Sequence, residues 1–184
     1  KIADMTAKMS DEMREHFLVT HFFNPVRYMK LLELVPGPDT RSDVMQRLTD
    51  FGANTLGKGL VTGNDTPNFI ANRIGTFGIA SAFHHMARLG LTVEEVDAVL
   101  GTPLARPKSA CFRTADLVGL DTMKHVLGNV YDNAPDDERR EWFVSPPYLD
   151  ALIESGRTGD KAGAGFYKKT KVDGKRAILA LDVA

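Results

Sequence analysis

Cysteine is almost absent from these 184 residues: Cys111 stands alone. No internal disulfide can form, which fits a reducing compartment and an expected cytoplasmic setting. The lone thiol reads as a small buried side chain, because nothing near it in sequence marks it as an activated nucleophile. Long apolar runs are missing as well. No stretch reaches the ~18 residues of a membrane-spanning helix, and no segment has the pattern of a signal peptide. An excess of one charge is also lacking. Lys and Arg number 23 against 24 Asp and Glu, for a net charge of −1. That balance argues against nucleic acid or an anionic membrane as the main partner, while leaving room for a local basic pocket. No G-x-G-x-x-G opens a strand–helix unit. Gly163 and Gly165 follow no strand, so they are not that fingerprint.

What is present is an ordinary globular composition, 43% hydrophobic and 26% charged. The length suits one domain, or one small domain plus part of another. Lys1 falls within what reads as a helix rather than at a start methionine, so a fragment or trimmed chain is expected.

The organising stretch runs from His21 to Gly37. Phe22 and Phe23 beside His21, and Leu31, Leu32, Leu34 and Val35 around Glu33, read as two buried strands. Pro25 denies a backbone donor just after Asn24 and should turn the chain. If the strands are neighbours, His21 and Glu33 can meet. A carboxylate on one ring nitrogen fixes the tautomer and leaves the other free as a general base. A core histidine with a strand-edge glutamate also fits, and spacing by itself favours that reading.

Downstream, Thr40 and Asp43 form a capping-box pattern before Val44, Leu48 and Phe51, and Gly57 is a plausible stop. Leu60-Val61-Thr62 reads as a strand. The order strand, strand, helix, strand suits the second half of a doubly wound nucleotide-binding domain. Thr66 should cap a helix with Pro67 at its first position. Phe69, Ile70, Ile74, Phe77, Ile79, Phe83 and Met86 make that helix apolar on several faces, so it should lie at a domain centre or in an interface. Asn72 falls within it, where an amide needs a partner. Thr92 and Glu95 cap a short helix that Gly101 ends. Leu117 to Val130 holds a helix or helix pair, and Tyr148 to Glu154 a last helix. His84 and His85 adjoin, but no third ligand stands at metal spacing, and no metal is expected. Residues 171–184 look like a ribbon or linker turning at Asp173-Gly174.

The sequence resembles the 3-hydroxyacyl-CoA dehydrogenase family in four motifs taken in order. H-F-F-N-P is His21 to Pro25, with a K-L-x-E-V strand at Lys30 to Val35. D-T-P-x-F-I-x-N-R is Asp65 to Arg73, D-x-V-G-L-D-T is Asp116 to Thr122, and K-x-G-x-G-F-Y is Lys161 to Tyr167. Together they span nearly the whole chain. Ala105 and Cys111 depart modestly from the small residues expected there. The resemblance implies a mainly α chain. Its first part, 1–65, would be the tail of a doubly wound α/β NAD-binding domain, with an all-helical C-terminal domain at 66–170 and the ribbon or linker at 171–184. It implies NAD as cofactor, an acyl-CoA substrate and a homodimer through the helical domain, with no nucleic-acid or membrane partner. His21 would take the 3-hydroxyl proton and Glu33 would hold His21. Asn24 would face both nicotinamide and substrate, Asn72 the substrate, and Lys161 the cofactor. The family's phosphate-binding glycines, and a serine that contacts substrate, lie upstream of H-F-F-N-P and are absent here. The C-terminal residues look more like a connection than an end, as in bacterial fusions with enoyl-CoA hydratase. The competing expectation is a non-catalytic helical dimerisation or acyl-CoA-binding module. A related dehydrogenase acting on a carboxylate is a third reading, against which the intact first and second motifs argue.

Overall fold

The computed structural model describes residues 1–183. Ala184, the last residue of the expected C-terminal ribbon, lies outside the described residues. The chain divides into two compact units, one of Lys1–Arg73 and one from Ile74 onward.

The first unit opens with two short helices, α1 (Ile2–Thr6) and α2 (Asp11–Glu15). The Asp65 carboxylate anchors α1 by accepting from the Ile2 N–H at 2.7 Å. A three-stranded sheet follows, from β1 (Leu18–Phe22), β2 (Leu31–Pro36) and β3 (Gly59–Thr62). The central strand β2 pairs antiparallel with β1 and parallel with β3. β2 is paired along both edges, and the burial of consecutive residues, whose side chains alternate between faces, shows that both of its faces are covered too. Leu32, Glu33, Leu34 and Val35 are all buried.

Between β2 and β3 runs α3 (Ser42–Asp50), extended by a π-helical turn over Phe51–Thr55. The expected Thr40–Asp43 capping box does not form. Arg41 is the N-cap, without a side-chain cap bond. The Thr40 hydroxyl is used elsewhere: it donates to the Phe17 carbonyl at 2.5 Å and accepts from the Gly37 N–H at 2.7 Å. A contact 23 residues away in sequence outcompetes the local cap. Gly57 ends the segment in the left-handed region, at φ +64°.

The second unit is built on α4 (Ala71–Leu89), α5 (Val93–Leu100), α6 (Phe112–Val118), α7 (Leu120–Asn133) and α8 (Pro147–Glu154). The Leu117–Val130 segment is the helix pair α6–α7, broken at Gly119 with φ +99°. Thr92 and Glu95 form the expected capping box. The core gathers Phe83, Met86, Phe112, Leu127, Leu149 and Phe166. Two expectations are corrected. The stretch 66–170 is not helical to its end, because β4 (Tyr167–Val172) begins inside it and pairs with β5 (Lys175–Ala180) in a hairpin where a ribbon or linker was expected. Its turn is Asp173-Gly174, with φ of 51° and 76°, the backbone that a tight two-residue hairpin requires. The helix α4 starts at Ala71 rather than Pro67. Asn68 and Phe69 take φ of 63° and 49°, a left-handed turn that no α-helix can contain.

Candidate active site

A carboxylate inside the first unit's apolar centre must find partners. Register supplies the first: His21 faces Glu33 directly across β1 and β2. His21 Nδ1 lies 2.5 Å from Glu33 Oε2. Glu33 is fully buried while the His21 side chain stays 27% exposed, so the pair has a dry end and an open end. The carboxylate can only accept, so Nδ1 carries the proton towards it and the neutral ring keeps its lone pair on Nε2.

The other carboxylate oxygen has a second task. Glu33 Oε1 accepts from the Ile70 N–H at 3.0 Å and the Ala71 N–H at 2.8 Å. These are donors that the start of α4 leaves open. Glu33 thereby replaces the local cap expected from Thr66. Two rings flank the imidazole: Phe23 at 4.7 Å between centroids and Phe69 at 5.5 Å.

Asn24 lies exposed just past β1, joined to Pro25 by a cis peptide bond. The connection that follows is stitched by the Lys58 ammonium, which donates to the Val26 carbonyl at 2.5 Å and the Met29 carbonyl at 2.7 Å. Asn72 is exposed, not the buried amide expected, because α4 begins only one residue before it. The structure brings His21 and Glu33 together. Lys161 belongs to the second unit, where its ammonium donates to both Asp121 oxygens at 2.8 and 2.7 Å. That bond, with the Thr122 N–H, holds the Asp121 carboxyl below the usual carboxylate range.

Sequence reasoning missed three residues. Phe69 reaches His21 only through the left-handed turn. Lys58 carried no signal beyond its charge. Asp116 is buried and accepts from the Phe166 and Tyr167 N–H groups, each at 2.8 Å. Burial pushes its carboxyl up, against the downward pull of those donors. Gly159 and Gly165 press on Asp116 so closely that neither has room for a β-carbon. The sequence offered Asp116 as the first residue of the third motif, but nothing local showed its tie to the glycines of the fourth. The third and fourth motifs are thus joined twice, by Asp116 to the hairpin backbone and by Asp121 to Lys161. His84 stacks on Trp142 at 4.9 Å and His85 meets its edge. Among the described residues no group of three or more His, Cys, Asp or Glu side chains could hold a metal ion.

Comparisons with known proteins agree over both units. Residues 69–169 match the 3-hydroxyacyl-CoA dehydrogenase C-terminal domain, and residues 1–66 match the NAD binding domain of the same family. A "Probable 3-hydroxyacyl-CoA dehydrogenase" of Bacillus subtilis is 52% identical over 168 residues, covering 91% of this chain and 21% of its own length. One of the same name from Deinococcus radiodurans is 46% identical over 162 residues, covering 88% of this chain and 46% of its own length. This chain therefore spans about a fifth to about half of those relatives. The crystal structure of (S)-3-hydroxybutyryl-CoA dehydrogenase from Ralstonia eutropha aligns with a TM-score of 0.80 at 29% identity, covering 92% of this chain and 57% of that one. With matches to both of its domains and the H-F-F-N-P histidine set against its glutamate, this chain belongs to the 3-hydroxyacyl-CoA dehydrogenase family.

Proposed function

We propose that this chain takes part in the NAD-dependent oxidation of (S)-3-hydroxyacyl-CoA to 3-oxoacyl-CoA, the third step of fatty-acid β-oxidation. The observation that carries the reading is the His21–Glu33 contact, a half-open imidazole backed by a buried carboxylate. His21 Nε2 takes the proton from the 3-hydroxyl. Glu33 compensates the charge that the ring gains and holds it in one tautomer. NAD, when bound, supplies the hydride acceptor. Asn24 would contact the nicotinamide and the substrate, Asn72 would contact the substrate, and Lys161, whose ammonium is bonded to Asp121, would contact the cofactor.

This chain's residues fit the reacting end of NAD alone. Their one strand–helix–strand turn, between β2 and α3, lacks the glycine fingerprint, and the Gly37 N–H is already given to Thr40. No pyrophosphate cradle is built there. Residues 1–65 are read as the end of the NAD-binding domain, 66–170 as the substrate and dimerisation domain, and 171–184 as a ribbon or linker. The setting is read as cytoplasmic. Among the described residues no helix is long and apolar enough to cross a membrane. A homodimer through the second unit is supported by the exposed apolar residues Ile74, Phe77, Leu89 and Val99, which line a groove of about 450 Å³.

The test is NADH oxidation with acetoacetyl-CoA by the full-length gene product and by its His21→Gln variant. A fall of about 100- to 10,000-fold in the variant is expected for loss of a general base. Undiminished turnover would remove His21 from the mechanism. No turnover in either, with acyl-CoA binding retained, would favour a non-catalytic binding module.

A further inference from the structure

We infer that Phe69 is a positioning residue for His21, held in place by the same carboxylate that orients the imidazole. A hydrogen bond at Nδ1 alone leaves a ring free to rock about that bond. Phe23 covers one approach, and its nearness is local, since it lies two residues from His21 in the chain, just past the end of β1. Its ring sits 4.7 Å from the imidazole and is inclined by 64°. Phe69 has no such local reason to be there. It reaches the imidazole, at 5.5 Å and 59°, because Asn68 and Phe69 adopt left-handed backbone one after the other. Asparagine tolerates that region; phenylalanine rarely enters it. Such a backbone persists where its surroundings over-determine it, and it collects at functional sites.

The clamp is visible. The two N–H groups directly after the turn, Ile70 and Ala71, both donate to Glu33 Oε1, while Glu33 Oε2 takes His21 Nδ1. Glu33 is fully buried, so neither oxygen can exchange these partners for water. One carboxylate therefore fixes the imidazole from below and fixes the turn that lays Phe69 against it. Carboxylate, turn, phenyl ring and imidazole form a closed loop of contacts within the first unit. Phe69 limits the rocking of the ring and so fixes the direction of Nε2.

The catalytic consequence rests on the proposed role of His21, and the test separates the two. The chain holds five histidines, so their ring protons can be resolved by NMR and His21 assigned by its loss in His21→Gln. In Phe69→Leu, which keeps apolar bulk but removes the ring, the His21 resonances should move towards those of the exposed His16. In the full-length gene product the same variant should lower kcat by about tenfold or more, because misorientation by even ~1 Å is costly. KM for acetoacetyl-CoA should stay within about threefold, as expected when binding is untouched. Phe69→Tyr should restore both readouts. Unmoved His21 resonances overturn the inference, and so do moved resonances with unchanged kcat. If Phe69→Leu does not fold, Phe69→Met is read the same way. If His21→Gln keeps full turnover, the general-base reading fails, while the resonances still decide whether Phe69 positions the ring.

Discussion

At the residue scale, Glu33 concentrates the most consequence in the fewest atoms. It is a buried acceptor with three donors around it, two from the start of α4 and one from His21. Glu33→Gln would replace two equivalent oxygens by one oxygen and one NH2. The oxygen must serve the Ile70 and Ala71 N–H groups, which can only donate. The NH2 then faces Nδ1 and makes it an acceptor, moving the ring proton to Nε2. The neutral imidazole in that tautomer cannot take a proton at Nε2. We expect Glu33→Gln to lower kcat by about 100-fold or more. Circular dichroism of the variant should remain that of a folded chain. Turnover within a few-fold of the parent would show that Glu33 does not set the tautomer. Cys111 is the counterexample of a reactive residue type without a role: burial pushes its thiol up to about 12, far from the thiolate that chemistry needs.

At the element scale, the latch between the α6–α7 corner and the hairpin explains the glycines of the fourth motif. A β-carbon at Gly165 would drive into the Asp116 carboxylate, whose partners are the Phe166 and Tyr167 N–H groups. Gly165→Ala should therefore destabilise the second unit by about 1–3 kcal/mol, as overpacking against a rigid partner does. Urea unfolding followed by Trp142 fluorescence, from the same unit, measures it; an unchanged midpoint would mean that the corner can shift. The second tie of the latch is pH-dependent. Lys161 holds the Asp121 carboxyl below its usual value, so its contribution is present above the unfolded pKa of about 3.9 and is lost as pH falls through the lower folded value. The difference in urea midpoint between the parent and Lys161→Met should shrink from pH 6 to pH 3 as Asp121 takes up its proton. A constant difference would assign the effect to the lysine's packing instead.

Several elements were legible because their signals are local. Thr92, Glu95 and Gly101 announce α5 at both ends, and the structure uses all three. Asp173-Gly174 announces the hairpin turn, although β4 begins at Tyr167, earlier than composition suggested. The start of α4 was misplaced for the opposite reason. Thr66 and Pro67 are good local cap chemistry, but Glu33, more than 30 residues away, makes the better cap and moves the start to Ala71.

At the scale of the whole molecule, the proposed homodimer makes a direct prediction. Val99 is 60% exposed and lines an apolar groove of its own unit. Val99→Asp should convert the full-length gene product from two copies to one by light scattering while its circular dichroism stays that of a folded chain, since the side chain is exposed within its own unit. A dimer that survives would place the interface elsewhere.

What the sequence determined by itself was the family, the two strands that carry His21 and Glu33, and most of the helices. Those follow from apolar periodicity, caps and turns, and from motifs whose residues are close in the chain. What only tertiary structure decided was the use of each polar group. Thr40 serves the Phe17 carbonyl rather than a helix, Asn72 is exposed, Lys161 is tied to Asp121, and the left-handed turn brings Phe69 to the imidazole. The physical reason is common to all of them. A polar group, buried or exposed, takes the best partner within reach in space, and distance along the chain does not say which partner that will be.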